Sequence, residues 1–293
     1  MIDVDTFLTT LYVMIDDFCK ASLPAEAPPG PHAALSRSEV LTLAIFGQWQ
    51  AFSSERGFYR YAQRHLCAVF PSLPARTQFN RQLRHHQQVL VLCVLHLVQL
   101  LAAQQGPYEA LDSSGIPIRD AKRRGLGWYE GFHLLLAFSP VGVITGFGFG
   151  AASTKDQLLA DTLFALRRFP QPQWGGAGAP AQGPYVVDKG FAGAADHTAW
   201  AQQYGVRVIC PPKRHSTQPW SKRLRRWLAG IRQMVETVYD KLSHTFRLNR
   251  ERPHALGGFQ ARLAAKIALH NFCIWFNEQL GRPRLAFTDL VDW

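Results

Sequence analysis

The sequence has few cysteines and no clustered ones. Its 5 cysteines are Cys19, Cys67, Cys93, Cys210 and Cys273, and none lies within four residues of another. That excludes Cys-x-x-Cys zinc and redox motifs, and an odd, scattered set makes a poor disulfide framework. A reducing compartment is the expectation. The first residues lack the basic charge of a secretory signal and carry Asp3, Asp5, Asp16 and Asp17 instead, so none is expected. Long apolar runs are missing too. The longest, Val89 to Ala103, contains His96 and Gln99, and a bilayer span needs about 20 apolar residues. A soluble protein of the cytoplasm without a membrane partner is expected. No internal repeat is present. The run Gly146-Phe-Gly-Phe-Gly lacks the Lys-Ser/Thr of a phosphate-binding loop and reads as a strand. Ser113 and Ser114 have no clear histidine partner, which leaves acyl-transfer chemistry unsupported. Acidic residues are scarce: 21 Asp and Glu against 32 Lys and Arg give a formal net charge of +11. Such a balance points to a polyanion, nucleic acid or an acidic membrane surface, without choosing between them.

What is present describes a globular chain. It is 47% hydrophobic and 18% charged, and its 293 residues allow one large domain or two moderate ones. Val4, Phe7, Leu8, Leu11, Met14, Ile15 and Phe18 recur at helical spacing. Ser36-x-x-Glu39 reads as a capping box that opens a second helix through about Trp49. Further helical stretches cover Arg56 to Val69 and Thr77 to Ala103. The character changes at Gly106-Pro107. A short strand over Tyr108 to Leu111 is predicted, then a hairpin of Phe132–Phe138 and Val143–Phe149 turned by Ser139-Pro140-Val141-Gly142. A helix over Asp156–Phe169, a strand over Tyr185–Val187, a helix over Ala194–Tyr204 and a strand over Val206–Ile209 follow. Helices over Leu228–Phe246 and Leu256–Leu280 end the chain. The expectation is a helical region over residues 1–105, then an α/β region over 106–293 with a mixed sheet, helices packed on it and the C-terminal helix included.

Two aspartates stand out in the second region. Asp112 follows Tyr-Glu-Ala-Leu and precedes Ser-Ser-Gly; Asp188 follows Tyr-Val-Val and precedes Lys-Gly. The carboxyl ends of strands are where α/β folds build sites, and small following residues leave a carboxylate open. Each aspartate taken singly reads equally well as a turn cap. A third carboxylate, Glu236, lies on a helical face with Arg232 and Tyr239, next to the apolar seam of Leu228, Ile231, Val235, Val238 and Leu242. A surface ion pair of Arg232 with Glu236 is the plainer account of that spacing. Three converging carboxylates suit Mg²⁺ or Mn²⁺, which take oxygen ligands. Two such ions clamp the attacking and leaving oxygens of a phosphoryl displacement, whose nucleophile is a water or a DNA 3′-hydroxyl.

The segments Leu-Asp112-Ser-Ser-Gly-Ile-Pro, Val-Val-Asp188-Lys-Gly-Phe and Arg232-Gln-Met-Val-Glu236-Thr-Val-Tyr resemble the DDE transposases of bacterial insertion sequences. The likeness is greatest to the insertion-sequence family 982 group. Gly131-Phe-His133-Leu, Ser153-Thr-Lys-Asp156, Cys210-Pro-Pro-Lys213-Arg214 and the opening Ile15-Asp-Asp-Phe-Cys19 add to it. The resemblance implies an RNase H-like fold with the first aspartate on the first strand, the second on the fourth and the glutamate on a later helix. It implies that Asp112, Asp188 and Glu236 are the metal-binding catalytic triad and hold two Mg²⁺ or Mn²⁺ ions. It further implies DNA cleavage at element ends, strand transfer into target DNA and recognition of terminal inverted repeats. Two ends handled together imply a homodimer on DNA. The tyrosine and lysine of a related signature are replaced by Ala229 and Ser243, with Lys241 nearby, so Lys241 is given no role. His133 reads first as a packed or hydrogen-bonded strand residue, with a place beside the metal site as the alternative the resemblance implies; Asp156 reads first as a helix N-cap and second as a support to the metal ligands. The rivals are a nuclease of the same fold without strand transfer and a non-catalytic DNA-binding protein derived from a transposase.

Between Arg207 and Val235 there are eight basic residues and no acidic one. Arg207, Lys213, Arg214, Lys222, Arg223, Arg225, Arg226 and Arg232 alternate with Trp220 and Trp227 and lead into the Glu236 helix. Lys and Arg bind phosphates, and aromatics stack on splayed bases. Arg119, Lys122, Arg123 and Arg124 form a second cluster after Asp112. In the helical region Arg56, Arg60 and Arg64 share a face, and Arg76, Arg81, Arg84, His85 and His86 follow. This region is expected to bind the element's ends.

Overall fold

A computed structural model of the chain describes residues 1–25, 33–119, 130–171, 175–212, 219–252 and 255–293. The chain divides into two units, Met1–His96 with Leu242–Trp293, and Leu97–Lys241.

The first unit opens with β1 (Ile2–Asp3) and α1 (Val4–Ser22). Asp3 caps α1 by accepting from the Thr6 amide at 2.7 Å. α2 (Arg37–Phe46) carries the expected capping box. Ser36 accepts from the Glu39 amide at 3.2 Å, and Glu39 accepts from the Ser36 amide at 2.6 Å. α3 (Glu55–His65) and α4 (Arg76–His85) follow, and α5 (Gln87–Leu100) starts after a break at His86. An aromatic core of Phe7, Phe46, Trp49, Phe246 and Phe272 is almost wholly buried. Phe7 meets Phe272 edge-on at 5.2 Å, an arrangement that the ring quadrupoles favour.

The second unit holds a five-stranded mixed sheet. Its strands are β2 (Glu109–Arg119), β3 (Glu130–Phe138), β4 (Ile144–Ala151), β5 (Tyr185–Val187) and β6 (Val208–Ile209), in the order β4-β3-β2-β5-β6. β2–β3–β4 are antiparallel, while β5 and β6 run parallel to β2. The turn from β3 to β4 has the predicted chemistry: the Gly142 amide donates to the Ser139 carbonyl at 3.0 Å, and Gly142 takes φ 87°. Among the described residues this unit includes the helices α6 (Asp156–Arg168), α7 (Ala194–Tyr204) and α8 (Lys222–Asp240).

Three elements differ from the sequence expectation. β2 does not stop at Leu111. It runs on through Asp112-Ser-Ser-Gly because β3 pairs with it as far as Arg119↔Glu130, whereas β5 leaves it at Leu111↔Val187. α8 begins at Lys222, six residues before the predicted Leu228, with Ser221 accepting from the Leu224 amide at 3.3 Å as its cap. The last helix, α9 (Leu256–Gln279), was grouped by sequence with the sheet region. Its contacts with α2 and α4 make it part of the first unit, which β1 and β7 (Val291–Asp292) complete by pairing in parallel. Among the described residues no helix is long and apolar enough to cross a membrane.

Strand alternation sorts the second unit's side chains into two faces. Leu111, Leu135, Ala137, Tyr185 and Val187 enter a core with Leu159, Leu163 and Phe164 of α6 and Trp200 of α7. Under that core lies an ion pair. Arg167 of α6 contacts Glu109 of β2 at 2.5 Å, with the two side chains 1% and 2% exposed. Arg167 also donates to the Tyr185 hydroxyl of β5 at 2.8 Å and to the Ala177 carbonyl at 2.6 Å. One guanidinium thus ties together β2, β5 and α6.

Removing one partner of a buried pair leaves an uncompensated charge, at a cost of about 3–5 kcal/mol. Glu109→Ala is therefore expected to destabilise the protein by that amount in urea unfolding. The double replacement Glu109→Leu/Arg167→Met is expected to cost less than the single one.

Candidate functional site

The opposite face of the sheet carries the predicted carboxylates. Ala110 and Asp112 of β2 and Val186 and Asp188 at the end of β5 alternate away from the α6–α7 core. Together with Leu228, Ile231, Arg232, Val235 and Glu236 of α8 they line one cleft of about 240 Å³. Leu228, Ile231 and Val235 are the buried seam that seats α8 here. Glu236 and Arg232, on the adjoining stripe, stay exposed. Tyr239 fixes the helix further along: its hydroxyl donates to the Asp112 carbonyl at 3.0 Å, and its ring lies 5.8 Å from Phe138. Asp112, Asp188 and Glu236 therefore come together in the structure, from positions 112, 188 and 236 of the chain.

Each carboxylate has its own setting. Asp112 sits where β2 has lost β5 as a neighbour but keeps β3, with Leu136 as its partner. Burial, then the Asp188 charge, pushes its carboxyl up to about 7, against the opposing pull of the Ser113 amide and the Arg232 guanidinium. Asp188 combines both of its sequence readings. It accepts from the Gly190 amide at 2.7 Å and caps the turn Lys189–Phe191, while it also lines the cleft. The plainer account of Arg232 does not hold: among the described residues it makes no ion pair with Glu236, and its charge acts on Asp112.

A fourth carboxylate, Asp156, stands otherwise than the first of its two sequence readings. Asp156 does not cap α6, because Lys155 occupies the cap position. Its Oδ1 accepts from the Ser113 hydroxyl at 2.6 Å and lies 3.2 Å from His133 Nε2. His133 Nδ1 in turn lies 2.6 Å from the Thr154 carbonyl. Asp156 adds to the charge that raises Asp112. At Gly190 a Cβ would stand 2.5 Å from Asp156 Oδ2 and 2.9 Å from Asp188 Oδ1, so only glycine permits this approach.

The predicted DNA-contacting residues divide between two settings. Lys222, Arg223, Arg225 and Arg226 form the exposed first turns of α8, on the helix that carries Arg232 and Glu236. Arg119 ends β2, and its side chain lies outside the described residues, as do Lys122, Arg123, Arg124, Lys213 and Arg214.

The site's donors are all oxygen, the choice of hard divalent cations, and the burial and carboxylate repulsion that raise Asp112 are what a cation offsets. The side chains nevertheless stand apart: among the described residues no three form a ready ligand cluster. The raised carboxyl has a pH consequence. A buried acid with a pKa above its unfolded value near 4 favours the folded state when protonated. The stability it contributes is present at low pH and lost as pH rises from about 4 through about 7. In EDTA, Asp112→Asn is expected to raise the melting temperature at pH 8 by several degrees and to leave it nearly unchanged at pH 4, as read by differential scanning fluorimetry. An equal effect at both pH values contradicts the burial of this charge.

A family model described as Transposase DDE domain matches residues 109–272, more than half of the chain. No curated protein and no solved structure matches the sequence. The matched span starts at the strand bearing Asp112 and takes in Asp188 and Glu236. The chain belongs to the transposase DDE domain family.

Proposed function

We propose that the protein is a DDE transposase of the insertion-sequence family 982 group, with an RNase H-like catalytic unit that cuts DNA at the ends of a mobile element and joins the exposed 3′-hydroxyls to target DNA. Asp112, Asp188 and Glu236 are its catalytic residues and hold two Mg²⁺ or Mn²⁺ ions. The observation that carries the reading is the single cleft lined by all three carboxylates and Arg232. The sheet order adds support, because the first and fourth strands of the sheet, counted along the chain, lie side by side and bear the two aspartates.

Divalent cations bound there supply neutralisation of the developing phosphoryl charge and activation of the attacking oxygen. The chain's own residues do the rest. Asp188, fixed by the Gly190 amide, holds one oxygen in place and leaves the other free to coordinate. The Tyr239 hydroxyl on the Asp112 carbonyl sets the distance from β2 to α8 and so to Glu236. Arg232 at the cleft offers a guanidinium to a phosphate oxygen.

DNA approach is served by α8. Four cations, Lys222, Arg223, Arg225 and Arg226, crowd its N-terminal turns, where no acidic residue stands. Cations at a helix N-terminus oppose the macrodipole by about 0.3–1 kcal/mol each. A phosphate backbone laid along that end reverses the sign of the interaction. The helical unit binds the terminal inverted repeats, and the protein acts as a homodimer on two ends.

The test is cleavage and joining of a labelled element end by the purified protein, with Mg²⁺ and with EDTA. Metal-dependent 3′-hydroxyl ends and joined products are expected. Asp112→Ala, Asp188→Ala and Glu236→Ala should each keep DNA binding and lose cutting by roughly 10³-fold or more, a loss of several kcal/mol of transition-state stabilisation. Undiminished cutting by any of the three sinks the assignment.

A further inference from the structure

No strand ladder fixes the gap between Asp112 and Asp188. The last paired position of β2 and β5 is Leu111↔Val187, and each aspartate lies one residue beyond it. Ligands of a hard divalent cation must be placed closely, since Mg²⁺ accepts little departure from octahedral geometry at about 2.0–2.1 Å. The two strand ends therefore need a brace outside the ladder.

The first turn of α6 reaches both ends. Asp156 Oδ1 accepts from the Ser113 hydroxyl at 2.6 Å, and Ser113 directly follows Asp112. Asp156 Oδ2 closes on Gly190, where a Cβ would stand 2.5 Å from it. The next residue, Gln157, donates from its side-chain amide to the Gly190 carbonyl at 2.7 Å. Gly190 in turn donates its own amide to Asp188 Oδ1 at 2.7 Å. One helix end thus holds the neighbour of Asp112 and the turn that fixes Asp188.

Asp156 is itself held in place. His133 Nε2 of β3 lies 3.2 Å from the same Oδ1, and His133 Nδ1 donates to the Thr154 carbonyl at 2.6 Å. Eleven residues further along α6, Arg167 grips Glu109 and Tyr185, the first residues of β2 and β5. The two grips stand roughly 16 Å apart at 1.5 Å per residue, so one helix braces both strands at both ends. The carboxylate cleft is lined without Asp156, and Ser113 alternates to the α6 face, away from Asp112. The Asp156 oxygens are thus turned to Ser113 and Gly190 and not to the cleft.

We infer that Asp156 is a positioning residue of the site, acting through Ser113 and Gly190 to set the gap between Asp112 and Asp188. The inference rests on the proposed metal-binding role of those two aspartates. Partners that orient metal ligands in this way carry about 10–100-fold in metal affinity.

The experiment is Mn²⁺ titration of the full chain followed by electron paramagnetic resonance, with melting temperatures in EDTA as the check on folding. Wild type is compared with Asp156→Ala, Asp156→Asn, Ser113→Ala and the double variant Ser113→Ala/Asp156→Ala. Asp188→Ala tests the underlying reading. Asp156→Ala is expected to weaken Mn²⁺ binding about 10–100-fold. Asp156→Asn keeps an oxygen at the Oδ1 position and should restore affinity close to that of wild type. Ser113→Ala should weaken binding as well, and the double variant should bind no more weakly than Asp156→Ala, because the serine acts through the aspartate. Wild-type affinity in Asp156→Ala overturns the inference. So do additive losses in the double variant, and so does an Asp156→Asn variant as weak as Asp156→Ala, since the charge or a direct bond to the cation is then what counts. Should Asp156→Ala fail to fold, Ser113→Ala decides, and wild-type affinity there overturns the inference. Uptake that Asp188→Ala leaves unchanged, or no uptake by wild type, removes the reading and the inference with it. Uptake lost in Asp188→Ala but intact in Asp156→Ala removes the inference alone.

Discussion

The pairing of β2 with β5 is the constraint on which the site depends. Their parallel register, Leu111↔Val187, sets Asp112 and Asp188 side by side one residue beyond the last paired position. A slip of one residue would send one aspartate to the α6–α7 core and bring a leucine or valine to the cleft. The register is held from below. Glu109 begins β2, Tyr185 begins β5, and the Arg167 guanidinium grips both from α6. The same helix begins with Asp156, which reaches Ser113 and the edge of the site. A buried ion pair contributes little net stability, but it specifies one arrangement among alternatives. Here the arrangement it specifies is the one that brings the carboxylates together.

The electrostatics of the sheet unit run against its own comfort. Acidic groups are crowded at the cleft until burial and neighbouring charge drive Asp112 up to about 7, while cations are crowded at the N-terminal turns of α8, where the helix dipole repels them. Each is unfavourable alone. Divalent cations at the first and a phosphate backbone at the second would relieve both. Locally unfavourable charge of this kind is how a functional surface differs from a merely folded one.

Much of this was legible in the sequence, for physical reasons. The seam of α8, the capping box of α2 and the turn of the β3–β4 hairpin are local patterns, and they appear where local chemistry puts them. What was misread depended on partners distant in the chain. Asp-Ser-Ser-Gly-Ile-Pro reads as a turn, yet β3 holds it as strand. The Lys-Arg run from Lys222 reads as a loop leading into a helix, yet Leu224 and Leu228 continue the helical spacing back to a Ser221 cap. A helix buried along nearly its whole length, like α9, has no face that tells which core it joins. Asp156 looked like a cap because an aspartate at a helix start usually is one; only the fold brings Ser113 and His133 to it.

The central claim is that Asp112, Asp188 and Glu236 act as one divalent-metal site. Mn²⁺ titration followed by electron paramagnetic resonance tests it most directly, because it needs neither DNA nor turnover. The account predicts that the wild-type protein takes up Mn²⁺ at the cleft and that Asp188→Ala abolishes this uptake without unfolding the protein. Mn²⁺ uptake unchanged by Asp188→Ala, together with unchanged uptake in Asp112→Ala and Glu236→Ala, would contradict it.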